Sequence, residues 1–142
     1  MTALLRPFSA LALLLSLAAA ARAPAPFWQK SWTISGVVGR SAAATPVAAE
    51  IGAPVVLTAD RARTPYSTEC AGKPDYRDVR ARPRRELARY FGPHWKFPTA
   101  LGARPVAGWV RCPGGGNIGA FAFTDARQGY YFFEEGLVLT LR

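Results

Sequence analysis

Apolar residues fall at alternate positions at Trp32 and Ile34 and are followed by Val37-Val38, which predicts a first β-strand over 31–38 with a bend at Gly36. A shorter apolar run, Val55-Val56-Leu57, emerges from Pro54 and predicts a second strand over 55–59. The last third of the chain repeats the strand pattern. Runs over 106–112, 118–124, 129–134 and 137–142 are rich in Val, Ile, Leu and aromatic residues, and Pro113-Gly114-Gly115-Gly116-Asn117 reads as a turn between the first two.

Glu135-Gly136 predicts a tight hairpin joining the last two strands. A two-residue turn there sets Phe132 opposite Leu139, Tyr130 opposite Leu141, Phe133 opposite Val138 and Tyr131 opposite Thr140. One face of that hairpin is wholly apolar and the other partly so, a pattern suited to a strand with cover on both sides.

Two segments switch to helical spacing. Thr45-Pro46, with Gly52 beyond, predicts a helix of about six residues, in which Thr45 caps and Pro46 takes the first helical position. Pro83 opens a second helix that Gly92-Pro93 stops, and Leu87, Tyr90 and Phe91 stand at i, i+3 and i+4 on its core side. Between the strands, 64–76 carries Pro65, Gly72 and Pro74 and reads as a loop or irregular edge strand.

The apolar stretch from Phe8 to Leu17 has a different meaning. Arg6 precedes it and the run Ala18 to Ala21 follows it, the three-part layout of a cleavable secretory signal. About ten strongly apolar residues fall short of the roughly twenty that span a bilayer. Residues 1–21 are therefore expected to be a signal peptide, cut before Arg22, and 22–142 a single β-rich domain that is periplasmic or secreted, without a transmembrane span.

Export changes the reading of Cys70 and Cys112. In an oxidising compartment two cysteines form a disulfide, which here closes a loop of about 42 residues and contributes about 4 kcal/mol in the chain-entropy model. There is no C-x-x-C spacing, and His94 is the only histidine, so neither a metal site nor a cofactor is expected.

Formal charge is +9, of which the signal takes away the one charge of Arg6. Arg77, Arg80, Arg82, Arg84, Arg85 and Arg89 cluster in one segment, with Arg85 and Arg89 i, i+4 neighbours, and guanidinium groups bind phosphate and carboxylate in bidentate fashion. Outside the cytoplasm their partners would be anionic lipid, lipopolysaccharide or peptidoglycan, and not nucleic acid. Phe91, His94, Trp95 and Phe97 form an aromatic loop expected to be exposed, and they are the candidates for contact with an envelope protein.

Catalytic patterns are thin. His94 has no acidic residue within three positions to orient it. The acidic residues, spread from Glu50 to Glu135, mostly neighbour arginines or fall in turns, and the glycine run after Cys112 lacks the Gly-Lys-Ser/Thr of a phosphate loop. A non-enzymatic role is expected.

Several segments together resemble an uncharacterised family of small exported proteobacterial proteins. They are Trp32-Thr33-Ile34, Ile51-Gly52 leading into Val55-Val56-Leu57, Cys70 to Tyr76, Trp109-Val110-Arg111-Cys112, and the ending Gly136 to Arg142. The resemblance covers most of the mature chain and implies an exported β domain without a known activity. A more distant resemblance is to the periplasmic inhibitors of c-type lysozyme, small disulfide-linked β-barrels whose later strands also follow a cysteine. The Ser-Gly-x-x-Tyr loop those inhibitors insert is missing here, where Thr64-Pro65-Tyr66-Ser67 stands, and a basic protein would be repelled by a basic lysozyme.

Taken together, the chain predicts a mainly β fold: a small antiparallel β-barrel or curled sheet of five or six strands, one or two short helices and one disulfide. The functions it predicts are anion binding by the arginine segment, partnership with an envelope enzyme as inhibitor or chaperone, or carriage of a small molecule or lipid if the barrel is hollow.

Overall fold

Trp32 and Ile34 are fully buried while Ser31, Thr33 and Ser35 between them are exposed, as the alternation in the first strand requires. The computed structural model describes residues 23–39 and 44–142, so the expected signal peptide over 1–21 lies outside the described residues. Eight strands form one sheet: β1 Ser31–Val38, β2 Pro54–Leu57, β3 Ala62–Arg63, β4 Arg80–Ala81, β5 Val106–Arg111, β6 Asn117–Asp125, β7 Gln128–Phe132 and β8 Val138–Leu141. Their order is β3-β2-β1-β8-β7-β6-β5-β4, and each neighbouring pair is antiparallel.

Eight strands exceed the expected five or six. The additions, β3 and β4, are two-residue edge strands that pair through Val56↔Arg63 and Arg80↔Ala107, too short to leave an alternation in sequence. The helices are also shorter than expected. α1 is Ala44–Ala48, and α2 is Leu87–Phe91, entered from Pro83 through a 3-10 turn over Arg84–Glu86.

The sheet curls, because residues from its two ends meet on one face. Ala62 of β3 and Val79 beside β4 belong to the same buried cluster as Trp28, Trp32, Ile34, Leu57, Phe121, Phe123, Tyr131 and Leu139. The Tyr76 hydroxyl donates to the Thr58 carbonyl at 2.7 Å, joining the loop before β4 to the end of β2. Trp32, Phe121 and Phe123 are fully buried in this inner face, each contributing about 1.5–3 kcal/mol by burial.

The opposite face of the middle strands is covered too. Ala120 pairs with Phe132 and Ala122 with Tyr130, so small residues on β6 leave room for the large rings of β7. Leu87 and Phe91 of α2, with Leu101, pack over them.

The expected hairpin register is off by one residue. Phe132 pairs with Val138, Tyr131 with Leu139 and Tyr130 with Thr140, because the connection is a 3-10 turn over Glu134–Gly136, with Gly136 at φ +76°, rather than a two-residue turn. The true register puts Tyr131 and Leu139 into the inner cluster, and Phe132 and Val138 under α2.

Cys70 and Cys112 form the expected disulfide, with Cα atoms 5.2 Å apart. It fastens the 64–76 loop to the end of β5. Among the described residues no helix is long and apolar enough to cross a membrane.

Candidate basic surface and aromatic cleft

The six clustered arginines divide into distinct environments. Arg82 is buried, with 9% of its surface exposed: its Nε donates to the Ala107 carbonyl at 3.0 Å, and one terminal nitrogen reaches the Asp78 carbonyl at 2.9 Å and carboxylate at 2.7 Å. Arg84 donates to the carbonyls of Pro98 and Phe97 and so ties the turn before α2 to the loop after it. Both guanidinium groups are engaged in holding the backbone. A burial pattern that places Arg82 inward is not written in a run where every second residue is charged.

Arg77 points outward, its side chain 91% exposed, and forks onto Asp75 at 2.7 Å. That guanidinium holds the Asp75 carboxyl well below its ordinary range, at about 2, helped by the Arg77 backbone N–H. Arg80, Arg85 and Arg89 are exposed and make no ion pair among the described residues.

The aromatic loop does not stand free. Phe91 is buried, at 6% exposure, and Trp95 and Phe97 are half-buried against it and against Phe132, whose ring centroid lies 5.9 Å from that of Trp95 and 5.3 Å from that of Phe97. Trp95 Nε1 donates to the Phe133 carbonyl at 2.7 Å. Only His94 of the four candidates is exposed, its ring centroid 4.1 Å from that of Trp95. The loop covers the outer face of β7, and the rim it leaves open is narrower than the sequence implies.

That rim borders a cleft of ≈ 280 Å³ lined by Tyr66, Ser67, Trp95, Trp109, Asn117, Phe133 and Glu134 among others. Burial is the main cause that pushes the Tyr66 hydroxyl up to about 12, with the charge of Glu50 adding to it. The Tyr66 ring packs tilted against Phe133, at 4.4 Å between centroids, so the disulfide-held loop meets the end of β7 at this cleft.

A second depression, of ≈ 360 Å³, is lined by Asp75, Arg77, Asp78, Arg80, Trp109 and Arg111. Trp109 and Arg111 did not figure among the sequence candidates. The signal was available: they stand two apart on a strand, so they project from one face.

Acidic chemistry in this region is largely spoken for. Glu69 faces Arg61 at 2.6 Å, Asp60 faces Lys73 at 3.7 Å, and Asp78 divides its carboxylate between Arg82 and the Trp109 backbone N–H. Among the described residues no three His, Cys, Asp or Glu side chains gather as a metal-ligand group. No protein-family model, curated protein or solved structure matches this chain.

Proposed function

We propose that this chain is an exported, non-enzymatic envelope protein that binds an anionic envelope component through exposed guanidinium groups of the 77–89 segment. The supporting observation is the division among its arginines. Arg82 and Arg84 are engaged internally and Arg77 by Asp75, whereas Arg80, Arg85 and Arg89 are exposed without a carboxylate partner among the described residues. Phosphate or carboxylate groups on lipopolysaccharide, lipid or peptidoglycan complement such groups, and the net positive charge speeds encounter at low salt.

The test is binding of the mature chain to lipopolysaccharide and to anionic phospholipid vesicles at low salt. A variant with Arg80, Arg85 and Arg89 all changed to Ala keeps the internal contacts of Arg82 and Arg84, so its fold is retained. At least a tenfold loss of affinity in that variant is expected, along with weakening of the wild-type complex as salt rises. Equal binding by the two proteins overturns the proposal.

Partnership with an envelope enzyme is a second reading, favoured by the half-buried edges of Trp95 and Phe97 beside the exposed His94. One stoichiometric, salt-insensitive partner captured from an envelope extract, and lost on His94→Ala, distinguishes it. Carriage of a small molecule or lipid would need a hollow interior, and the packed cluster around Trp32, Phe121 and Phe123 does not favour it.

A further inference from the structure

Trp109 stands where two depressions meet. On one side it lines the aromatic cleft with Tyr66, Trp95 and Phe133; on the other it lines the basic depression with Arg80 and Arg111. The register accounts for this. Arg80 pairs with Ala107, and Ala107, Trp109 and Arg111 alternate along β5, so two guanidinium groups flank one indole along the same face of the sheet edge.

The carboxylates of the basic depression are hydrogen-bonded first to other groups, although Asp75, bridged to Arg111 through the backbone, also feels the charge of that arginine. Asp75 is held by Arg77, and Asp78 by Arg82 and the Trp109 N–H, while Arg80 and Arg111 make no ion pair among the described residues. The cleft beyond Trp109 has a different character: half-exposed rings, with Asn117, Ser67 and Glu134 as hydrogen-bonding groups. At ≈ 280 Å³ it lies near the lower limit of small-ligand sites, about 300 Å³, a size that accommodates one six-membered ring.

We infer that this junction binds an anionic glycan. A sugar ring lies against the aromatic side of Trp109, its carboxylate or phosphate is held by Arg80 and Arg111, and its hydroxyl or amide groups meet Asn117, Ser67 and Glu134. The electron-rich face of an indole attracts the polarised C–H face of a sugar, and the two guanidinium groups supply the charge recognition. The inference rests on the envelope-binding reading and names the ligand class for it.

The test uses the folded mature chain and three probes: the disaccharide N-acetylglucosaminyl-N-acetylmuramic acid, which carries a carboxylate; glucosamine 1-phosphate, which carries a phosphate; and neutral chitobiose. Indole N–H signals are followed by nuclear magnetic resonance, with the buried Trp28 and Trp32 as internal references. Expected are shifts of Trp109 and Trp95 with at least one anionic probe, tenfold weaker binding of chitobiose, and a fivefold or greater loss for that anionic probe in Arg111→Gln. The carboxylate and phosphate arms tell peptidoglycan-type from lipopolysaccharide-type sources.

Asn117→Ala, at an exposed position that does not endanger the fold, is expected to weaken all sugar binding at least threefold. If no probe moves Trp109 while the Arg80, Arg85 and Arg89 triple variant still loses vesicle binding, the glycan site falls and the envelope-binding reading stands. If that triple variant binds vesicles like wild type, the broader reading falls.

Discussion

Arg82 lies over the ring of Tyr90, its guanidinium carbon 3.7 Å from the ring centroid. The same guanidinium binds Asp78 and the Ala107 carbonyl, so one side chain joins α2, the loop before β4 and strand β5. Removing it leaves a half-buried carboxylate without its cation and a carbonyl without its donor. Arg82→Ala is expected to cost about 2–4 kcal/mol in urea unfolding, whereas Arg85→Ala, at an exposed position, stays within about 0.5 kcal/mol of wild type. Equal stabilities would show that Arg82 is as dispensable as its exposed neighbours.

The hydroxyl of Tyr90 is buried and has no hydrogen-bond partner among the described residues. Tyr90→Phe keeps the ring under Arg82 and removes an unsatisfied polar group. Stability is expected to be unchanged or to rise by up to about 1 kcal/mol, read as the urea midpoint. A loss of more than about 1 kcal/mol would mean the hydroxyl is bonded in solution.

Asp75 gives the protein an acid-sensitive element at the surface. Its folded pKa of about 2 lies below the ordinary 3.8, so as pH falls the unfolded chain takes up the proton first. Its contribution is complete above the ordinary value and is lost as pH drops through about 2. Asp75→Asn is expected to flatten the decline in unfolding midpoint between pH 5 and pH 2, and identical declines in both proteins would contradict the assignment.

The Cys70–Cys112 bond closes a loop of 42 residues that contains β4, α2 and β5. Reduction, or Cys70→Ser with Cys112→Ser, is expected to lower stability by up to about 4 kcal/mol, measured by thermal unfolding with and without reductant. An unchanged melting temperature would refute a structural role for the bond.

Much of the fold was legible because long strands leave alternation in the chain. The predicted 31–38 strand matches β1, and the strands of the last third match β5 to β8 within two residues at each end. What escaped was short or inward-turned. β3 and β4 have two residues each, so their pairing partners create them and their own composition does not. The register slipped because Glu134 joins the turn, a fact of local backbone geometry that Glu135-Gly136 conceals.

The site was less legible than the fold. A run of arginines carries no period by which to tell Arg82, facing Tyr90 and Asp78, from Arg80 and Arg85 in solvent. The aromatic loop misled for the opposite reason: Phe91, Trp95 and Phe97 cover Phe132, a partner distant in sequence. Trp109 and Arg111 share one face of β5 by their spacing, but only the pairing of Arg80 with Ala107 brings a second arginine alongside them.

Strand β8 lies between β1 and β7, and Thr33 and Arg142 exchange backbone hydrogen bonds at 2.7 and 2.9 Å. A nascent chain that lacks β8 therefore holds two halves of a sheet with bare edges and nothing to seal them. Without β8, β1 and β7 would each present a bare row of backbone donors and acceptors, so this one short strand is what makes two half-sheets into a single continuous one.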